Sequence, residues 1–284
     1  MMKPNPDYSH KEILYYFLCT YLFSWAFWIP SALMFTGTES TGQLFTSPLF
    51  IALQTLGAAG PSIVAYFFLK YYHGKDEIRS ITDRYKIWRL EIKWYAISFF
   101  LIVFISLFSL LIHIVFMESP LTEGHALFDM YQNMGFFLIL ILPVIFFAQL
   151  FSSPLLEEFG WRGYAQPFLQ KKYSVLSSSI VIGLVWGVWH LPLILTYGHN
   201  IIVALMLITC HSILIGWVLN STKGSMLIVM IFHASINVGV NILSPGHNDI
   251  VMLCLTLVVT LFVIYKFVYS KLKPFNLEGT FSKD

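Results

Sequence analysis

The chain has 284 residues and a net charge of +2, and 57% of its residues are hydrophobic while only 11% are charged. Soluble domains carry about 25% charged residues, so this composition excludes a soluble globular protein and indicates a polytopic, integral membrane protein. The small net charge gives no reason to expect a nucleic-acid partner. The three cysteines fall inside apolar runs, so we do not expect a disulfide framework.

Apolar runs of about 17–25 residues can cross a bilayer as helices. The sequence predicts eight of them, in chain order 13–35, 49–71, 94–116, 136–155, 177–195, 201–219, 226–243 and 250–269. The predicted fold class is therefore all-α, with about eight transmembrane helices. Between the second and third runs, the polar stretch 74–93 mixes both charge signs with apolar side chains. This pattern favours a helix lying on the membrane surface over a plain connecting loop.

The lysines and arginines all fall on one side of this eight-helix arrangement. The 17 basic residues lie in the N-terminus, in the loop 70–93, in the segment after the fourth run, in the loop after the sixth run or in the C-terminal tail. The loops on the opposite side carry acidic residues and no basic ones. By the positive-inside rule, both termini are predicted to be cytoplasmic.

A pair of glutamates follows the fourth apolar run. Glu157 and Glu158 come just after the run 136–155, and Arg162 comes four residues after Glu158. A charged group at membrane depth costs about 2.5–3.5 kcal/mol on insertion scales, so these residues need a physical reason to be there. On a continuing helix Glu158 and Arg162 share a face and pair, whereas Glu157 is rotated by about 100° and is left without that partner. The alternative is a solvated helix end with both acids in water.

Two histidines inside later apolar runs are candidates for the same site. His190 lies in the fifth run, one turn after Trp186, which is placed to form the wall of a pocket, and Pro192 can bend the helix there. His233 lies in the seventh run and shares a helix face with Asn237, which comes four residues later. A single intramembrane histidine is more often a packing element. Two of them, together with an amide and a glutamate pair, indicate a reactive site.

His211, in the sixth run, is the contrasting case. It has no acidic or amide partner at helical spacing, so we interpret it as a satisfied interhelical hydrogen-bond donor that the chemistry does not need. Several signatures of other membrane enzymes and pumps are absent from the sequence. It contains no His-Glu-x-x-His zinc motif, no Gly-x-Ser-x-Gly elbow, no Gly-x-Gly-Asp and no Walker-A loop.

The sequence contains three motifs that resemble, in order, the signatures of the CAAX-protease and bacteriocin-processing family: Glu157-Glu158-x-x-x-Arg162, Trp186-x-x-x-His190 and His233-x-x-x-Asn237. This family includes the type II CAAX prenyl endopeptidases, and it usually has Phe where Trp186 stands. The resemblance implies an intramembrane protease whose helices surround a catalytic cavity. It divides the chain into the N-terminal helices 1–135, with the basic loop 70–93, a core domain 136–243, and a last helix with its tail, 244–284.

The resemblance also implies roles for individual residues. The implied catalytic residues are Glu157, His190, His233 and Asn237, with Glu158, Arg162 and Trp186 in support. In a metal-assisted mechanism, zinc or another divalent metal is held by His190, His233 and Glu157. In a metal-free mechanism, Glu157 is the general base, and His233 and Asn237 donate to the oxyanion. Both mechanisms stay open at this stage.

The implied partners are the lipid bilayer and a membrane-associated or lipidated protein or peptide, whose apolar segment reaches the site. Two other functions are alternatives. A non-catalytic membrane scaffold, regulator or immunity-type protein would have no need of the complete set of site residues. A transporter using Glu and His as a proton relay would predict internal repeats with interrupted helices, which the sequence does not show.

Overall fold

The computed structural model describes residues 10–36, 47–116, 126–244, 250–270 and 274–275. Within these ranges every regular element is helical, which confirms the predicted all-α class. The α-helices are α1 His10–Thr36, α2 Pro48–Ala58, α3 Gly60–Phe68, α4 Lys75–Asp83, α5 Ile92–Phe116, α6 Ala126–Met134, α7 Leu138–Leu150, α8 Ser153–Glu158, α9 Gln166–Gln170, α10 Val175–Trp189, α11 Leu191–Thr196, α12 Ile201–Ser221, α13 Met226–Val238 and α14 Ile250–Ser270. Short connecting turns are π-helical at Leu69–His73, Phe159–Ala165 and Gly239–Leu243, and 3-10 helical at Arg84–Lys86 and Gly135–Phe137.

The helices are those of an integral membrane protein. In the described part of the chain, six helical stretches are long and apolar enough to cross a bilayer. A seventh is formed if α2 and the stretch Gly60–His73, which meet at a bend of 43°, count as one span. The proline at the start of α3 lacks an N–H and so interrupts the helical hydrogen bonds at this bend. Helix α10 is apolar but only 15 residues long, so the predicted number of eight is approximate.

Two more of the predicted spans, besides the bent second one, are not continuous helices. The fourth, predicted as 136–155, belongs to a stretch in which α7 ends at Leu150 and α8 begins at Ser153, with Pro154 in its first turn. The fifth, predicted as 177–195, begins at Val175 and is interrupted at His190 between α10 and α11. In both places a proline supplies no N–H to continue the helix, so the chain restarts with a new first turn.

Buried aromatic rings pack the helices together beneath these breaks. The ring centroids of Tyr16 and Trp161 lie 5.9 Å apart, those of Trp161 and Trp189 5.7 Å, and those of Trp28 and Trp189 4.3 Å. The Tyr16 hydroxyl also donates to the carbonyl oxygen of Pro61 at 3.2 Å. Large rings in edge and tilted contacts add to the burial energy and restrict how the helices can slide. They therefore fix α1, α3 and α10 around the glutamate segment.

The polar stretch 74–93 is helical only in its first half. Helix α4 is followed by the turn Arg84–Lys86, and residues 87–91 are not helical, so the predicted surface helix is shorter than expected. One side of α4 is buried at Glu77 and Ile81, whereas the Arg79 side chain is 84% exposed. The segment is thus amphipathic, and its apolar side packs on the protein.

Arg84 ties this segment to the glutamate-bearing part of the chain. Its buried guanidinium donates to the carbonyl oxygens of Arg162 at 2.9 Å, Gly163 at 3.3 Å and Gly224 at 3.0 Å. Its far face lies 4.9 Å from the ring centroid of Phe275. Burial lowers the pKa of Arg84 to about 10, so the group stays charged at neutral pH. Arg84 therefore links three segments to one another: the π-helix Phe159–Ala165, the turn before α13 and the segment that contains Phe275.

Gly160 allows this π-helix to approach α3 closely. A Cβ atom at Gly160 would lie 2.4 Å from both the carbonyl carbon and the carbonyl oxygen of Pro61, and 2.6 Å from the Tyr16 hydroxyl. Gly163 differs because its Cβ would lie 2.8 Å from Cγ2 of Ile81, a side-chain methyl group, and no backbone atom lies nearer than 3.7 Å. Gly160 thus faces the backbone of Pro61, whereas Gly163 faces the side chain of Ile81.

We predict that Gly160→Ala destabilises the protein because the clash is with backbone that cannot rotate away. Overpacking of this kind costs about 1–3 kcal/mol or more. The thermal unfolding midpoint in detergent should fall clearly below that of the wild type, and the yield of folded protein should fall with it. Gly163→Ala is the matched control and should have a smaller effect. Equal midpoints for the two variants would contradict the close approach at Gly160.

Candidate active site

The glutamate pair stands at the end of a short helix inside the protein. Helix α7 stops at Leu150, and the Ser152 hydroxyl donates to the carbonyl oxygen of Gln149 at 2.8 Å and contacts its side-chain oxygen at 2.9 Å. Helix α8 then carries Glu157 and Glu158, and the π-helix Phe159–Ala165 follows at once. Non-standard turns of this kind are common at functional sites, because they turn side chains away from the regular helical positions.

The two glutamates have different surroundings. Glu158 is fully buried, and its Oε2 lies 3.4 Å from Arg162 Nε, so the pair expected from the spacing is present. Its Oε1 lies 2.7 Å from Nδ1 of His233, a contact that the sequence did not predict. Glu157 is also buried, but its Oε2 accepts a hydrogen bond from the Trp186 indole N–H at 2.8 Å. Glu158 therefore contacts both Arg162 and His233, whereas Glu157 accepts from a neutral donor.

Trp186 connects the groups of the site. Its ring lies 4.8 Å from the guanidinium carbon of Arg162, a cation–π distance. Its centroid is 5.6 Å from that of His190 and 5.2 Å from that of His233, both in edge contacts. The sequence interpretation made Trp186 a pocket wall. The structure adds a hydrogen bond to Glu157 that a phenylalanine in this place could not make.

His190 lies at the interruption between α10 and α11. Its Nδ1 is 2.9 Å from the carbonyl oxygen of Trp186, and its ring centroid lies 5.9 Å from that of Trp28 in a stacked arrangement. A carbonyl oxygen only accepts hydrogen bonds, so this contact places the proton of a neutral ring on Nδ1 and leaves Nε2 with a lone pair. The helix break and the carbonyl contact together set the orientation of the ring.

Asn237 faces the break between α7 and α8. Its amide nitrogen donates to the Ser153 hydroxyl at 2.8 Å and to the side-chain oxygen of Gln149 at 3.3 Å. The sequence interpretation missed Gln149 and Ser153. The signal available was their polarity: both interrupt an apolar run just before the glutamates, and only the break in the helix turns them toward Asn237.

These groups surround one cavity of about 1010 Å³. This volume is at the upper end of the 300–1,000 Å³ or so that is usual for ligand pockets. The predicted site residues that line it are Glu157, Trp186, His190, His233 and Asn237, and further lining residues include Trp28, Gln54, Leu193, Tyr197, Leu207 and His211. Glu158 and Arg162 are fully buried and are not among the residues that line the cavity. The cavity is polar near Glu157 and mainly apolar elsewhere.

Comparison with known proteins agrees with this arrangement. Residues 139–239 match the family described as type II CAAX prenyl endopeptidase Rce1-like. The resemblance to CAAX-type proteases is confirmed. The chain is also 26% identical over 254 residues to CAAX prenyl protease 2 of Methanococcus maripaludis, covering 84% of this chain and 87% of that protein. A shorter similarity, 33% over 115 residues, relates 38% of this chain to 31% of lysostaphin resistance protein A of Staphylococcus haemolyticus.

The CAAX-type similarity supports an intramembrane endopeptidase. The matched residues 139–239 begin in α7 and end just after α13, so they contain the whole set of predicted site residues. A protease of this type acts on a substrate that is itself associated with the bilayer. The cavity between the helices, with Glu157 in its lining, is the candidate site for that reaction.

The residues do not fit the predicted metal centre as they stand. Among the described residues, no three His, Cys, Asp or Glu side chains are grouped so that they could hold one ion. Catalytic zinc needs three protein ligands that converge on one point. We therefore derive no step through a metal.

We predict that Trp186→Phe lowers the turnover number about tenfold or more, because a hydrogen bond to a charged group contributes about 1.5–3 kcal/mol. Trp189→Phe is the matched control. It lies on the same helix and loses the same atoms, but its buried indole N–H has no hydrogen-bond partner among the described residues. Both variants should lose some thermal stability, measured as the unfolding midpoint in detergent. Equal losses of turnover number would show that ring size, and not the bond to Glu157, matters.

Proposed function

We propose that this protein is an intramembrane endopeptidase that uses Glu157 as its general base and cleaves a lipidated, membrane-attached protein. The observation that carries the proposal is that the two glutamates have different partners. Glu158 is occupied by Arg162 and His233, whereas Glu157 lines the cavity and accepts from an indole. A carboxylate without an ionic partner is suited to take a proton from water, because no cation holds its lone pairs.

In this mechanism a water molecule lies between Glu157 and Nε2 of His190. Glu157 accepts one proton from it through the oxygen that does not bond to Trp186. The water oxygen then attacks the peptide carbonyl carbon, and the electrons of the C=O double bond move to the oxygen to form the oxyanion. Finally the proton passes from Glu157 to the peptide nitrogen, the C–N bond breaks, and a carboxylic acid and an amine leave.

His233 supplies the first donor to the oxyanion. Because Glu158 accepts from Nδ1, the opposite ring nitrogen donates when it is protonated, and Glu158 and Arg162 hold the ring for this purpose. Asn237 supplies the second donor by giving up its longer bond, the one of 3.3 Å to Gln149. Its shorter bond to Ser153 keeps the amide in place while it does so.

The substrate class follows from the relative and from the cavity. The M. maripaludis protein is named a CAAX prenyl protease, and a C-terminal Cys-a-a-X sequence is the signal for prenylation of that cysteine. A cavity of about 1010 Å³ with apolar walls has room for an extended peptide and part of a lipid chain. With both termini cytoplasmic, as the charge pattern predicts, the substrate enters from the cytoplasmic side or laterally from the bilayer.

We predict that Glu157→Gln abolishes proteolysis without loss of stability. The probe is a farnesylated, internally quenched peptide ending in Cys-a-a-X, cleaved by detergent-solubilised protein and by protein in liposomes. Glu158→Gln is the contrasting variant, because it leaves Arg162 buried without its carboxylate. Breaking a buried ion pair costs about 3–5 kcal/mol, so this variant should unfold at a clearly lower temperature.

The outcomes separate the catalytic from the non-catalytic function. Cleavage by Glu157→Gln at the wild-type rate would contradict the assignment of the base. The alternative of a membrane scaffold or immunity-type protein is favoured by the local similarity to lysostaphin resistance protein A. It predicts no wild-type-specific protein termini in cell membranes and a normal cellular phenotype for Glu157→Gln expressed at the matched level.

Zinc assistance by His190, His233 and Glu157 is the alternative mechanism. We predict that incubation with 1,10-phenanthroline, followed by its removal, leaves the cleavage rate unchanged, because the proposed base and donors are all side chains. The measurement is the rate on the same farnesylated peptide before and after chelation. A loss of activity that added Zn²⁺ restores would replace the metal-free mechanism with the metal-assisted one.

A further inference from the structure

His211 does not have the environment that its sequence suggested. We expected a satisfied interhelical donor, but its Nε2 atom is buried and has no hydrogen-bond partner among the described residues. The whole side chain is only 3% exposed. The expectation was wrong because helical spacing shows which residues of the same helix are near, but not what lies across from them. Across from His211 lies the cavity, to whose wall it belongs.

The helix that carries His211 has two distinct faces. Its cavity face consists of Ala204, Leu207, Ile208 and His211, which follow the three- and four-residue spacing of one helix side. His211 is the polar member of this otherwise apolar face. An imidazole in such a position is not explained by packing, since a leucine would cover the same surface without a polar atom.

A different face of α12, beside the cavity face, packs on α10 and holds the helix in the protein. There the Ser212 hydroxyl donates to the carbonyl oxygen of Ser179 at 2.8 Å. Gly216 comes so close to α10 that a Cβ atom would lie 2.0 Å from the Ser179 hydroxyl oxygen. The contact between α10 and α12 is therefore made by small and hydroxyl-bearing residues, as is usual where membrane helices approach closely. It does not need His211.

Several other polar side chains of the cavity already have hydrogen-bond partners. Gln54 donates to the Ser31 hydroxyl at 3.2 Å, Asn237 donates to Ser153, and Glu157 accepts from Trp186. An unpartnered buried polar group costs about 1–3 kcal/mol, so such a group in a native protein calls for an explanation. The imidazole of His211 differs from the unpartnered indole N–H of Trp189 because His211 lines the cavity. For His211 the available partner is whatever fills the cavity. A rotation about the bond between Cβ and the ring, which is a soft torsion, brings a ring nitrogen to it.

We propose that His211 is a substrate-binding residue, which donates a hydrogen bond from its imidazole to a backbone carbonyl of the peptide lying in the cavity. A membrane-embedded substrate segment near its cleavage site is extended and has carbonyl oxygens without partners, and each one costs free energy until it meets a donor. His211 supplies a donor on the apolar α12 wall. This inference rests on the proposed endopeptidase function and adds to it a residue outside the three motifs.

The test is a set of three variants assayed on the farnesylated peptide, with kcat, KM and the unfolding midpoint measured for each. His211→Leu keeps the volume and removes the donor. We expect KM to rise about tenfold, as for the loss of one substrate hydrogen bond, with a smaller change in kcat and an unfolding midpoint at or above that of the wild type. His211→Gln restores an N–H near the position of Nε2 and should recover most of the loss in KM.

Ser212→Ala, on the face of α12 that packs on α10, is the control for a purely structural role. It should lower the unfolding midpoint and leave KM unchanged. If His211→Leu has a KM within about twofold of the wild type, the proposal is overturned. It is also overturned if His211→Leu and His211→Gln both lose stability as Ser212→Ala does and are equally impaired.

Glu157→Gln is measured alongside to separate this inference from the proposed function. If the wild type itself does not cleave the peptide above the background rate, the proposed endopeptidase function fails and the role of His211 falls with it. If Glu157→Gln is inactive while His211→Leu behaves like the wild type, only the role of His211 is overturned. The two failures therefore give different results in the same assay.

Discussion

The rest of the site depends on how a carboxylate pair is accommodated within apolar surroundings. A charge in the bilayer core is costly, and the cost falls only when a partner compensates it. Here Arg162 and His233 both meet Glu158, and all three side chains are buried. This arrangement neutralises one of the two acids inside the protein. It frees Glu157, one residue earlier, to face the cavity without a cation at hydrogen-bond distance.

Irregular backbone is what brings the partners together. Glu158 lies at the end of a helix only six residues long, and a π-helix carries Arg162 back toward it. Such breaks are tolerated in a membrane protein where they are buried or line a cavity, since their free polar groups then find partners. The carbonyl oxygens of Arg162 and Gly163 accept hydrogen bonds from Arg84, which reaches them from the polar segment 74–93. The polar segment between the second and third runs thus supports the site at a distance in sequence.

The sequence predicted those features that depend on local spacing. The apolar runs predicted the all-α membrane fold, and the four-residue interval between Glu158 and Arg162 predicted their pairing. The sequence could not predict features that depend on which residues face each other across a helix interface. The contact between His233 and Glu158 joins residues 75 positions apart, and the unpartnered state of His211 is a property of the cavity. Pro192 indicated the helix break at His190, but the break before Ser153 was not predicted and is seen only in the structure.

Trp186 shows how one side chain reconciles a charged cluster with an adjacent cavity. Its ring covers Arg162 on the buried side, and its lining surface faces the cavity, so the guanidinium is kept from whatever the cavity contains. The indole N–H meanwhile bonds to Glu157 and orients it. If Arg162 reached Glu157 directly, the cation would hold the carboxylate as an ion pair and weaken it as a base. A neutral donor between them orients the acid without that penalty. Trp186, where phenylalanine is usual in the CAAX-type motif, therefore gives this chain a means of fixing Glu157 without an ion pair.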